Sequence, residues 1–318
     1  MQRVPPKPKG RSRQETITRR QHHVWRRYLE GWATNGKIWC LQNGRVFETN
    51  IINVAVERDF YRLRDLTDAD IFLIRALMKD SPPPAKQVLD NFILMFGMFG
   101  RFRSIPLVAN NAELLALIDR EVITMEEKFH AQIEGNIKPI FDAIRRKNLS
   151  FYDDPDLCGQ FCHFLSLQNL RTKGVQHRLF AKTTEQHGMS LARAWNVLRH
   201  IMAVNAGGSL MLERKARPLI LLENETEVPF ITGDQPVINL LSPGSGEPPR
   251  LLAFYYPVSP RLAVILDEVN ERTCYAAGPV SADRVVALNR RIRAAAHTQV
   301  FGSSRDVLDS LSQGLSGA

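Results

Sequence analysis

The sequence predicts an α+β fold, a helix-rich middle segment packed on a mixed or antiparallel sheet built from an N-terminal hairpin and C-terminal strands. Three observations predict it. Two β-forming runs flank an Asn-Gly dipeptide at residues 43–44, helical periodicity dominates from Thr67 to about residue 212, and short β-branched or aromatic runs follow Arg217-Pro218. The expected organisation is a disordered basic arm at 1–20, one α+β domain at 21–302 with a helical insertion at about 66–212, and a flexible tail at 303–318.

The elements follow in chain order. Trp25, Tyr28, Leu29 and Trp32 recur at i, i+3, i+4 and i+7, which predicts a short amphipathic helix starting near His22 and ended by Gly31 and Thr34-Asn35-Gly36. Lys37–Leu41 and Arg45–Thr49 bracket Gln42-Asn43-Gly44, and Asn-Gly readily takes the positive φ angles of a tight hairpin. Thr67 and Asp70 have capping-box spacing ahead of an apolar face of Ile71, Ile74, Leu77 and Met78. Ser81-Pro82-Pro83-Pro84 breaks that helix. Further helices are expected near 85–100, 111–134, 138–147, 155–172 and 188–206, with Gly135 and Pro139 separating the second from the third. Strands are expected at Leu219–Leu222, Val228–Thr232, Val237–Leu240, Leu252–Tyr256 and Leu262–Leu266, with a Pro/Gly-rich loop from Ser242 to Pro249. A helix at 281–296 and a strand at Gln299–Phe301 follow, and the Ser/Gly-rich end from Ser310 is expected to be disordered.

At 318 residues and 44% apolar composition the chain has enough material for a sizeable core. Its net charge is +9, but residues 1–27 carry nine basic side chains against the single acid Glu15, leaving the remainder nearly neutral. The basicity is therefore an N-terminal arm, which fits either contact with nucleic acid phosphates or a solubilising tail. No run approaches the ~20 apolar residues of a membrane helix, so no membrane partner is expected. Asn91–Gly100, the most apolar stretch, reads as a buried helix. The N-terminus lacks a signal-peptide apolar region, and four cysteines are too few for a disulfide scaffold, so a cytoplasmic setting with reduced thiols is expected.

Four constellations could carry chemistry. His22 and His23 offer imidazoles for metal binding, general-base work or phosphate contact, or else His22 packs in the core with one ring nitrogen satisfied and His23 is solvated. Glu57 and Asp59, two apart in an extended segment, would share a side; with an imidazole they could hold a divalent cation, while Glu57 could instead pair with Arg26 or Arg27. Gln168 and Arg171 share a helix side, where the guanidinium could clamp a phosphate or simply sit at the helix C-terminus. Asp234 is presented in Phe230-Ile231-Thr232-Gly233-Asp234-Gln235-Pro236-Val237, a strand-end position suited to catalysis or to capping a turn. Cys158, Cys162 and His163 form only a partial zinc set, with no fourth ligand at a recognised spacing. Walker, dinucleotide-binding, nucleophile-elbow and His-Glu-x-x-His motifs are absent from the sequence.

These segments, in order, resemble domain-of-unknown-function family 4238, a bacterial family. The resemblance rests on His22, His23, Arg26 or Arg27, Tyr28 and Leu29; on Ala55, Glu57, Phe60 and Tyr61; on Gln168, Arg171 and Thr172; on Phe230–Val237; and on Leu288-Asn289. It spans about residues 21–302. Trp25 or Arg26 stands where the family has proline, and Gly233 where it has serine. The resemblance implies that His22, His23, Glu57, Arg171 and Asp234 converge in space. The expected function is a hydrolase, with Mg²⁺ or Mn²⁺ as the candidate cofactor, acting on a phosphodiester of nucleic acid or a nucleotide. His22, His23, Glu57 and Asp234 would be catalytic, with Arg26, Arg27, Gln168 and Arg171 binding substrate. Phage defence is a reasonable setting for such a bacterial enzyme. The alternative is a non-catalytic nucleic-acid- or protein-binding module with a buried His/Glu/Arg/Asp network.

Overall fold

The computed structural model describes residues 19–187, 190–242, 251–267 and 275–313. The basic arm to residue 18, and the Pro/Gly-rich loop beyond Ser242, lie outside the described residues. The elements run β1 (Arg20–His22), α1 (Arg26–Leu29), β2 (Lys37–Gln42), β3 (Arg45–Asn50), β4 (Val56–Arg58), α2 (Asp68–Leu77), α3 (Pro83–Arg103), α4 (Pro106–Ala109), α5 (Ala112–Arg145), α6 (Pro155–Leu170), α7 (Lys173–His187) and α8 (Trp195–Leu212). They continue as β5 (Leu219–Glu223), β6 (Thr232–Gly233), β7 (Ile238–Asn239), β8 (Phe254–Ser259), β9 (Leu262–Leu266), β10 (Gly278–Pro279), α9 (Ala282–Ala295), β11 (Gln299–Gly302) and α10 (Arg305–Gln313). This is the α+β architecture with a helix-rich middle that the sequence predicts.

The sheet work is divided. The hairpin β2–β3 joins the distant β11 and β6 in an antiparallel sheet of order β3-β2-β11-β6, while β10-β5-β9-β8-β7 form a mixed sheet in which only the β10–β5 pair is parallel. Asn43 and Gly44 take φ of 51° and 73°, as the hairpin turn requires. The apolar stripe of the first helix is wholly buried. Tyr28 stacks on Tyr256 with centroids 4.8 Å apart, and the Trp32 indole N–H donates to the Phe230 carbonyl at 2.8 Å. Burying aromatic side chains of this size contributes roughly 2–3 kcal/mol each, so the stripe anchors the N-terminal segment to the mixed sheet. A second core fills the space around α9 and both sheets, and a third lies among α2, α3, α5 and α8. The predicted capping box forms, with Thr67 accepting from Asp70 N–H and Asp70 from Thr67 N–H. Asn91–Gly100 lies in α3 and buries Phe92, Ile93, Phe96 and Phe99.

Several expectations need correction. His22 is in a strand, not a helix: β1 pairs antiparallel with β4, Gln21 opposite Glu57, and Trp25 keeps extended ψ (121°), so helix begins only at Arg26. Glu57 and Asp59 do not share a side, because Asp59 leaves the extended region (φ 54°). Glu57 pairs with Lys173 at 2.7 Å rather than with Arg26 or Arg27, and Asp59 with Arg19 at 3.1 Å. Gly135 and Pro139 do not split α5, which continues for 34 residues. Both lie on its exposed side, where water can satisfy the carbonyl that proline leaves without a donor. Helix α7 was not foreseen, since its sequence is mostly polar. Residues 305–313, expected within a flexible tail, form α10, whose Val307 and Leu308 are buried against Gly302.

Candidate active site

Five sequence motifs are linked one to the next, chiefly through backbone-directed hydrogen bonds. Gln168 donates to the His23 carbonyl (3.1 Å), Tyr61 Oη to the His22 carbonyl (3.0 Å), and Tyr61 N–H to Gln21 Oε1 (2.7 Å). Asn169 and Gln235 both donate to the Val237 carbonyl, and Thr172 bonds Gln235. Asn289 receives Ile231 N–H and donates to the Pro229 carbonyl, pinning α9 to the segment that becomes β6. The motifs therefore carry much of the long-range wiring of the fold.

Strand alternation separates the paired histidines, in the opposite sense to the expected core His22 and solvated His23. His22 is half-buried and lines an open cleft of about 560 Å³ together with Arg20, Arg26, Arg27, Glu30, Tyr61, Glu127, His130 and Glu134. His23 is 4% exposed and packs against Phe60 at 5.3 Å. Burial, reinforced by the Arg171 charge, pushes its pKa down to about 3. His22 is also lowered, by burial and then by Arg26, so it is neutral at pH 7 with its Nε2 unpartnered.

The other expected residues scatter. Arg171 lies beneath the cleft: it is 2% exposed, its guanidinium holds Gln168 Oε1 at 2.6 Å, and it pairs with Glu134 at 2.7 Å. Burial works against its charge, but Tyr61 and Glu134 more than offset that and hold its pKa above the ordinary arginine value. Asp234, 2% exposed, accepts from the backbone N–H groups of His297, Thr298 and Gln299 and from the Thr298 hydroxyl. All that donation makes it a turn cap joining β6 to β11, away from the cleft. Glu57 lies on the exposed side of β4 with Lys173. Of the eight residues, the cleft gathers His22, Arg26 and Arg27, with Gln168 and Arg171 supporting its floor.

Glu127 and Glu134, one face apart by two turns of α5, supply the carboxylates that the sequence reading missed. Burial raises Glu127 to about 7, with the Glu134 charge adding to the effect. Burial also raises Glu134, against the pull of Arg171. A carboxyl that titrates near neutrality beside a neutral imidazole and three guanidinium groups can exchange protons while the arginines hold an anion.

Behind this wall lies a buried network that reaches the cleft at His130. Glu126 accepts from Arg199 Nε (2.6 Å), Asn196 (2.6 Å) and His200 Nε2 (2.9 Å), with His130 Nε2 at 3.4 Å. Glu126, His130 and His200 place one donor atom each within 4.8 Å of one another, a set whose types suit a divalent metal. The fit fails on charge. The Arg199 guanidinium already neutralises Glu126, and a cation there would face it in a fully buried site. Burial alone would raise Glu126; Arg199 and the two imidazoles instead hold it well below the carboxylate range. Cys158 and Cys162, 3.9 Å apart and buried, are free thiols, and among the described residues no metal-ligand set includes them. No helix among the described residues is long and apolar enough to cross a membrane.

The sequence profile of the family described as "Protein of unknown function (DUF4238)" matches residues 20–306. No curated protein matches the chain, and no solved structure does.

Proposed function

The chain belongs to the DUF4238 family, and from that premise and the cleft's chemistry we propose that it is a hydrolase acting on a phosphodiester of nucleic acid or a nucleotide. The observation that carries the reading is the meeting of His22 and Glu127 with Arg20, Arg26 and Arg27 in one open cleft. The arginines would hold the phosphate and stabilise the charge that develops on it. Neutral His22, once a ring rotation opens its buried Nε2 to the cleft, would take a proton from the attacking water, and Glu127, half protonated near pH 7, would give one to the departing oxygen. Glu134 is a positioning residue, held by Arg171 at the floor. A divalent cation such as Mg²⁺ or Mn²⁺, if the enzyme uses one, would find in Glu30 a carboxylate free of an arginine partner among the described residues, whereas Glu134 is already neutralised by Arg171. The cation would supply further neutralisation of phosphate charge. The basic arm of residues 1–20 would deliver polyanions to the cleft, in a cytoplasmic protein.

The test is cleavage of labelled DNA, RNA and nucleotides with Mg²⁺, Mn²⁺ or EDTA, comparing wild type with Glu127→Gln and His22→Ala. Turnover by wild type, reduced on the order of 100-fold in either variant, supports the reading. Binding without turnover under every condition favours the second reading, a non-catalytic nucleic-acid- or protein-binding module. One observation speaks for it: His23, Gln168, Arg171 and Asp234 are all nearly sealed from solvent and serve the buried network.

A further inference from the structure

The chain between β4 and α2 alternates in burial. Tyr61 and Leu63 are buried, and Arg62 and Arg64 are exposed on the opposite side. Leu63 N–H fixes this segment to α5 by donating to the Val122 carbonyl at 2.9 Å. Tyr61 lines the cleft, whereas Arg62 and Arg64 border a second space of about 370 Å³ whose lining includes Phe180 and Trp195. Two guanidinium groups therefore reach one concave site from one face of a short segment.

Neither arginine has a counter-charge. Among the described residues, Arg62 and Arg64 make no ion pair and no side-chain hydrogen bond, because the nearby acids are engaged elsewhere. Asp59, the carboxylate that borders the space, is held by Arg19 at 3.1 Å; Asp65 is held by Arg103 at 2.8 Å and Asp70 by Arg193 at 2.8 Å. Arg199, also on the wall, is matched by Glu126. Two positive charges remain, beside aromatic side chains that lower the local dielectric and strengthen attraction for an anion. Guanidinium forks match phosphate oxygens in pairs. A monoanion would leave one charge unmatched, whereas a phosphate dianion matches both. We propose that this space binds the phosphate group of a small anion, free phosphate or a phosphate monoester, through Arg62 and Arg64. Its volume admits the organic part of an ester. This site uses different residues from the cleft and stands without the hydrolytic reading.

The experiment follows arginine modification by phenylglyoxal in the full-length protein, read residue by residue by peptide mass spectrometry. Inorganic phosphate, phenyl phosphate and acetate are compared at matched ionic strength. Both phosphates should slow modification of Arg62 and Arg64 with one shared midpoint, leaving Arg45, exposed at the start of β3, unchanged. Acetate should protect neither. A lower midpoint for phenyl phosphate identifies an ester site; an equal or higher one identifies a free-phosphate site. In Arg62→Ala, a surface change, the midpoint for Arg64 should rise about tenfold or more, one lost charge-assisted pair. Glu127→Gln in the cleft should leave it where it was. Absence of saturable protection at millimolar phosphate overturns the proposal. So does equal protection of Arg45, protection by acetate, or an Arg64 midpoint that Arg62→Ala leaves unmoved or Glu127→Gln shifts.

Discussion

His23 and Asp234 are the side chains whose environments differ most from what catalysis would ask of them. His23 is held neutral, with a folded pKa of about 3 against about 6.5 in the unfolded chain. The unfolded state therefore binds the extra proton between those values, so His23 contributes stability above pH 6.5 that is lost as pH falls toward 3. By pH 4 the loss should be on the order of 3 kcal/mol. Urea titrations of wild type and His23→Gln between pH 4 and 7 should converge as the pH drops; parallel curves would contradict the burial argument. Asp234→Ala leaves three backbone N–H groups and the Thr298 hydroxyl without their acceptor, at about 1–3 kcal/mol for each that stays buried. A melting temperature lowered by 10 °C or more is expected. An unchanged one would return Asp234 to the list of candidate catalytic groups. Among the polar cleft residues, His22, Arg26 and Arg27 were legible because a single local motif holds them. Glu127 and Glu134 were not, since only the packing of α5 decides which of its carboxylates meets the cleft. A signal did exist: Glu126 and His130 interrupt the buried stripe that runs through Val122, Ile137 and Ile144.

Helices α6 and α8 cross so closely that an added Cβ at Gly207 would lie 2.7 Å from His163 Cα and 2.8 Å from its backbone nitrogen. Backbone cannot yield as a side-chain tip can, so Gly207→Ala should separate the pair and cost several kcal/mol, about the scale of severe overpacking. Circular dichroism and thermal melts would register it. A neutral substitution would mean that the contact is looser than described. Gly208→Ala, where nothing lies within 4 Å, is the control and should be neutral or slightly stabilising. The elements that sequence reading recovered, the Asn-Gly hairpin and the Thr67-capped helix, are those whose information is local. It misplaced β1, whose conformation comes from pairing with β4 some thirty-five residues on. It also missed α7, whose polar surface carries little periodic signal.

At the scale of the whole molecule, chemistry and charge are arranged in separate places. The body is nearly neutral, the positive charge is concentrated before residue 28, and three of those arginines, Arg20, Arg26 and Arg27, line the cleft. If the arm recruits polyanions, deleting residues 1–20 should weaken DNA or RNA binding and flatten its dependence on salt. Filter binding at 50 and 200 mM salt would check this, and identical slopes would assign the arm to solubility instead. The fold class was legible because helix and strand texture occupy separate stretches of the chain. The partition into two larger sheets was not, because it depends on β11 inserting between the hairpin and β6.

The most direct test of the cleft as a site of proton transfer is the pH dependence of kcat/KM on the best nucleic acid or nucleotide substrate. Wild type should show an inflection near pH 7 from Glu127, and Glu127→Gln should lose both that inflection and most of the rate. A profile flat through neutrality, or one that Glu127→Gln leaves in place, would contradict the account.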